Sequence, residues 1–120
     1  MTRVLLFEDT DEGNKRFQLI WDGFRLGTLS QAAADRTPEV MRTEGQVRKA
    51  LKAISTNGAL KDDIDHRDLH TGGGTVELEQ PQIKLLTAYG WKVQWQPHVL
   101  EEAIDALDFV DAAPKQSDGS

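Results

Sequence analysis

Between Pro97 and Ala112 acidic and apolar residues interleave at helical spacing, so this stretch has to lie on the body of the protein as a surface helix. At about 100° per residue, Val99, Leu100, Ala103, Ile104, Leu107 and Val110 share the face expected to meet the core. Glu101, Glu102, Asp105, Asp108 and Phe109 share the other. From Val99 to Ser120 the chain carries six acids (Glu101, Glu102, Asp105, Asp108, Asp111 and Asp118) against Lys115, a net of −5 out of the whole chain's −6. The rest is nearly neutral. Such polarity points to a surface built for association rather than a pocket built for chemistry.

Two readings of the acidic face stand. Carboxylates are the usual solvated side of a helix, and Glu101 and Glu102 complement its positive end. Asp108 and Asp111 lie towards the negative end, where acids are unfavourable, and so favour a partner. On that reading Glu101, Glu102, Asp105, Asp108 and Phe109 form the contact, the aromatic ring anchoring a basic protein surface.

At 120 residues and 38% hydrophobic the chain can build one core. It has no cysteine, which removes disulfides, thiolate metal sites and cysteine nucleophiles together. The longest aliphatic or aromatic run, Val4–Phe7, is far too short for a membrane span, and with neither a basic start nor a longer apolar stretch no export signal is expected. The expected setting is cytoplasmic.

Val4–Phe7 and Phe17–Trp21 read as strands joined by the turn-forming Asp9–Lys15, predicting an N-terminal β-hairpin. Leu29–Asp35 reads as a short helix capped by Thr28 or Ser30. Thr37 and Pro38 then open a longer helix with Val40, Val47, Leu51 and Ile54 on one stripe, interrupted by Gly45 and ended by Asn57-Gly58. Gly45 implies a bend or a close contact. Asp62–Gly74 reads as a mobile loop, Thr75–Glu79 as a strand, and Pro81 to Gly90 as a helix closed by that glycine. Trp91, Val93 and Trp95 alternate as a short strand or an extended segment would.

The helix after Pro38 carries a second charged face, Arg42, Arg48, Lys49 and Lys52, opposite its apolar stripe. It reads as a solvated face, a phosphate-contacting surface, or the complement of the acidic helix in this or a second copy. His66 and His70 stand four apart, as two metal ligands on a helix could, but the segment runs into three glycines with no glutamate between them, so it reads as a charged loop. Gly72–Gly74 is no phosphate loop, since no strand precedes it and no Lys-Ser/Thr follows. No nucleophile stands beside a base. Catalytic residues, cofactor and metal are all expected to be absent.

Two resemblances add to this. The run Gln46-Val-Arg-Lys-Ala-Leu-Lys-Ala-Ile54, then Asn57-Gly-Ala-Leu60, a glycine-bearing wing and the strand Thr75–Glu79, resembles part of a winged helix-turn-helix over 29–86, with Leu29–Asp35 as the first helix. That resemblance implies a DNA-binding regulator with Arg42, Arg48, Lys49 and Lys52 near phosphates. Over residues 46–112, the order of basic helix, Val-Glu-Leu-Glu strand, Pro81–Leu86 helix, Trp95-Gln-Pro97 and closing amphipathic helix is similar to small phage and prophage proteins without assigned activity. This implies a virion-assembly or host-interaction factor, resident in the host cytoplasm or the virion.

The expectation is therefore an α+β molecule. Residues 1–112 would form one domain, a short antiparallel sheet with its N-terminal hairpin on three or four helices, and 113–120 a disordered tail. Its expected work is non-enzymatic protein binding through the acidic helix, as a phage accessory factor, with a winged-helix regulator as the alternative. A protein with a basic surface is the expected partner, a second copy is possible, nucleic acid ranks behind, and membrane is excluded.

Overall fold

The computed structural model describes residues 2–30, 37–56 and 70–113, the side chains of Leu29 and Ser30 apart. The elements run β1 (Thr2–Phe7), α1 (Asp11–Ser30), α2 (Pro38–Ala53), β2 (Gly74–Glu79), α3 (Gln80–Lys92) and α4 (Leu100–Asp111). This is the α+β class, with a two-stranded antiparallel sheet.

No N-terminal hairpin forms. Phe17–Trp21 lies inside the 20-residue helix α1, and β1 pairs instead with β2, Leu5 opposite Val76 and Arg3 opposite Leu78. The reason lies in the apolar spacing. Phe17, Ile20, Trp21 and Phe24 recur at the +3, +4 and +7 intervals of a helix, and all four are buried. Thr10 starts the helix, its hydroxyl accepting from Gly13 N at 3.0 Å and its carbonyl from Asn14 N at 2.9 Å. Gly13 is required there, because a Cβ would strike the Glu8 carbonyl. The short helix expected at Leu29–Asp35 is not separate at its start: Leu29 and Ser30 end α1, and 31–36 lie outside the described residues. Thr28, expected as a cap, donates to the Phe24 carbonyl at 2.8 Å within α1.

Helix α2 follows the sequence reading. The Thr37 hydroxyl accepts from Val40 N at 3.2 Å, and Val47 and Leu51 are fully buried. It ends at Ala53; Asn57 and Gly58 lie outside the described residues. Of the expected loop Asp62–Gly74, only 70–74 is described, and it is tied down. Thr71 N donates to Asn14 Oδ1 and Thr71 Oγ1 to the Ile54 carbonyl, each at 2.8 Å, and Thr56 N donates to the His70 carbonyl at 2.7 Å. Gly73 and Gly74, at φ of 100° and 144°, supply the turn into β2 that other residues rarely adopt.

Helix α3 sits between the other helices, packed on α1, α2 and α4 as well as on the sheet. Glycines set its distance from α1. A Cβ on Gly27 would lie 2.5 Å from Tyr89 Cβ, and one on Gly23 would lie 3.3 Å from both Gly90 Cα and Trp95 Cζ2. Gly90 is therefore a contact residue rather than the expected cap, and α3 runs past it to Lys92. Of Trp91–Trp95, expected as a short strand or an extended segment, Trp91 and Lys92 end α3 and no strand forms; the chain folds back, with Trp95 Nε1 donating to the Gly90 carbonyl at 3.0 Å. Chain 97–99 is a turn, and α4 begins at Leu100. Ala113, expected in a disordered tail, is buried, and its carbonyl accepts from Arg3 Nε at 2.7 Å. Residues 114–120 lie outside the described residues.

Among the described residues one ionisable carboxyl group is fully buried. Glu44 of α2 is fully buried, and the Tyr89 hydroxyl of α3 donates to its Oε2 at 2.6 Å. A buried carboxyl group tolerates such a site only with hydrogen-bond partners.

Candidate functional site

The acidic residues do project from α4, but the helix is rotated from the expected setting. Ala103, Ala106, Leu107 and Val110 face the core, while Leu100, expected there, is 43% exposed. Packing decides this, because Leu107 presses against Gly90 of α3 and turns the small residues Ala103 and Ala106 inward.

The rotation splits the acidic face in two. On the α1 side, Lys15 Nζ lies 2.9 Å from Glu102 Oε1 and 2.8 Å from Oε2, so this carboxylate is used within the chain. Phe109 does not stand out as an anchor. Its ring is half-buried, 5.5 Å from the Phe7 ring at 59°, and the Arg16 guanidinium covers it at 4.5 Å. A shallow groove of about 430 Å³ runs between the two helices, lined by Glu12, Lys15, Arg16, Leu19, Glu102 and Asp105. Its mixed charges leave no single sign to recognise.

On the outward side Glu101, Asp108 and Asp111 are exposed, as is Asp105 at the rim of that groove, and among the described residues none of the four has an ion pair. With Leu100 and half-buried Ile104 beside them, they form an acidic strip with an apolar margin.

The basic residues collect on the outer face of α2. Arg42 and Lys49 are exposed, Arg48 and Lys52 half-buried. Helix α2 packs on α3 and β2, whereas α4 packs on α1 and α3, so α3 separates the two charged faces.

His70 points elsewhere: its Nδ1 lies 2.6 Å from Gln18 Nε2. His66 lies outside the described residues, and among those described no cluster of three His, Cys, Asp or Glu could hold a metal. No described helix is long and apolar enough to cross a membrane. Lys15 and Arg16, which shape the inner half of the site, were missed because their segment read as a hairpin turn; the +3/+4 spacing from Phe17 was the signal that would have found them.

Among the described residues the architecture is thus a two-stranded ribbon joining the first and second halves of the chain, with three helices gathered around α3. Compared with protein-family models, curated proteins and solved structures, the chain matches none.

Proposed function

We propose that this chain is a non-enzymatic protein-binding module that engages a basic protein surface through the outer face of α4, with Glu101, Asp105 and Asp108 as the contacts. One observation carries the reading. These carboxylates stay solvated and without an ion pair among the described residues, while their neighbour Glu102 is taken up by Lys15. Two of the free acids, Asp108 and Asp111, stand in the last turn of the helix, where the macrodipole disfavours them, so helix stability does not account for their presence. Phe109 and Glu102 serve a different purpose, bracing α4 against α1. The setting we propose, virion assembly or host interaction, rests on the order of elements over 46–112 being similar to small phage and prophage proteins; the genes flanking its own test that setting.

The binding face is tested by immobilising the wild type and an Asp105→Lys/Asp108→Lys variant and presenting each to lysate of the source cell. The wild type should retain a protein that elutes in roughly 1 M salt, where the Debye length is about 3 Å. The variant should lose at least about 90% of it with an unchanged circular dichroism spectrum. Equal retention on both would end the proposal.

A further inference from the structure

Gly45 is explained by no neighbour among the described residues. It stands in the middle of α2, where glycine is the least favourable residue after proline, yet a Cβ built on it meets nothing within 4 Å among the described residues. Two other helical glycines are explained by a neighbour pressed against them, Gly27 by Tyr89 and Gly90 by Leu107. At Gly45 no such neighbour stands among the described residues.

What surrounds this notch is a docking surface. At about 100° per residue, Met41, Arg42, Gly45, Arg48 and Lys49 fall within one arc of about 120°, directly opposite the buried stripe of Val47 and Leu51. Met41 is 53% exposed, Arg42 and Lys49 are exposed, and none of the three has a polar or charged partner among the described residues. The face therefore offers one apolar contact, one gap that lets a helix approach closely, and cations on either side.

We infer that this face of α2 is the seat for α4 of a second copy of the chain, an inference that rests on α4 being the binding face. The complement is specific in charge and in shape. Helix α4 presents Asp105 and Asp108 for Arg42 and Lys49, and Leu100, 43% exposed, for Met41. The two faces cannot satisfy one another within a single molecule, because α3 lies between the helices that carry them. The contact joins unlike surfaces, so each molecule keeps one free donor face and one free acceptor face. Repetition closes a ring or extends a filament.

Sedimentation of the full chain tests this. In low salt the mean mass should rise with concentration above the 13.4 kDa of one chain, and return to it in roughly 1 M salt. The Arg42→Gln/Lys49→Gln and Asp105→Asn/Asp108→Asn variants should each associate at least tenfold more weakly, yet their equimolar mixture should form a 1:1 complex, since each retains the face that the other lacks. Gly45→Leu should melt at a higher temperature than the wild type and still lose association, which a merely structural glycine would not do. A wild type that stays monomeric in low salt overturns the inference, as does association untouched by these variants. A monomer that shifts duplex DNA through Arg42 and Lys49 assigns the face to nucleic acid and overturns it equally. If the monomer still captures a foreign basic protein through Asp105 and Asp108, the role of α4 stands and only the second copy is excluded.

Discussion

Gly45 and Gly27 are both helical glycines, and their surroundings give them opposite worth. Gly27 lies against Tyr89, so Gly27→Ala forces a methyl into an occupied contact and should cost about 1–3 kcal/mol. Gly45 faces open space, so Gly45→Ala should gain roughly 0.5–1 kcal/mol from helix propensity alone. Urea unfolding of the two variants beside the wild type reads both signs. Tyr89→Phe removes a donor from the buried Glu44 carboxyl group and should cost about 1–3 kcal/mol, visible in the same experiment. None of these contacts was legible in the sequence. Glycine reads there as a breaker, a bend or a close contact, and only the neighbouring helix shows which of the two glycines is a contact.

Among the elements, those with punctuation at their ends were the easiest to read. Thr37-Pro38 fixed the start of α2, the alternation of Val76 and Leu78 marked β2, and Pro81 marked α3. Helix α1 was not legible, because Phe17, Leu19 and Trp21 satisfy a period of two over five residues while Phe17, Ile20, Trp21 and Phe24 satisfy 3.6 over eight; the longer window wins once α3 supplies a surface to pack on. That misreading hid Lys15 and Arg16 and made Phe109 seem exposed. At the junction of β2 and α3, the Thr2 hydroxyl donates to Glu79 Oε1 at 2.8 Å and holds the carboxyl below the usual Glu range. A depressed folded value gives stability that is fully present above the ordinary carboxylate range and lost as pH falls through the lowered folded value. Glu79→Gln should therefore lower the melting temperature slightly at neutral pH, since the group is exposed, and converge with the wild type at acid pH, flattening the acid limb of a plot of melting temperature against pH.

For the molecule as a whole, the charge asymmetry was legible from the sequence alone, while its division was not. Which acids are free depends on the rotation of α4, and that is set by Leu107 against Gly90, a contact between residues 17 apart that belong to different helices. The outer acids could be counted beforehand; their separation from the basic face of α2 required the position of α3. Screening should therefore change the chain's associations far more than its melting temperature, because the exposed acids have no described partner to lose. A thermal scan repeated in low and high salt beside the sedimentation runs compares the two.

The pairing of β1 with β2 has a temporal consequence. Thr2 meets Glu79 across 77 residues, so the first strand leaves the ribosome long before the strand that completes it. Until then Leu5 and Phe7 have only the nascent α1 to shelter them, and closing so long a loop makes this late zippering the natural bottleneck of folding. A newly made chain is most exposed to aggregation and chaperone capture in that interval, before its two ends have found each other.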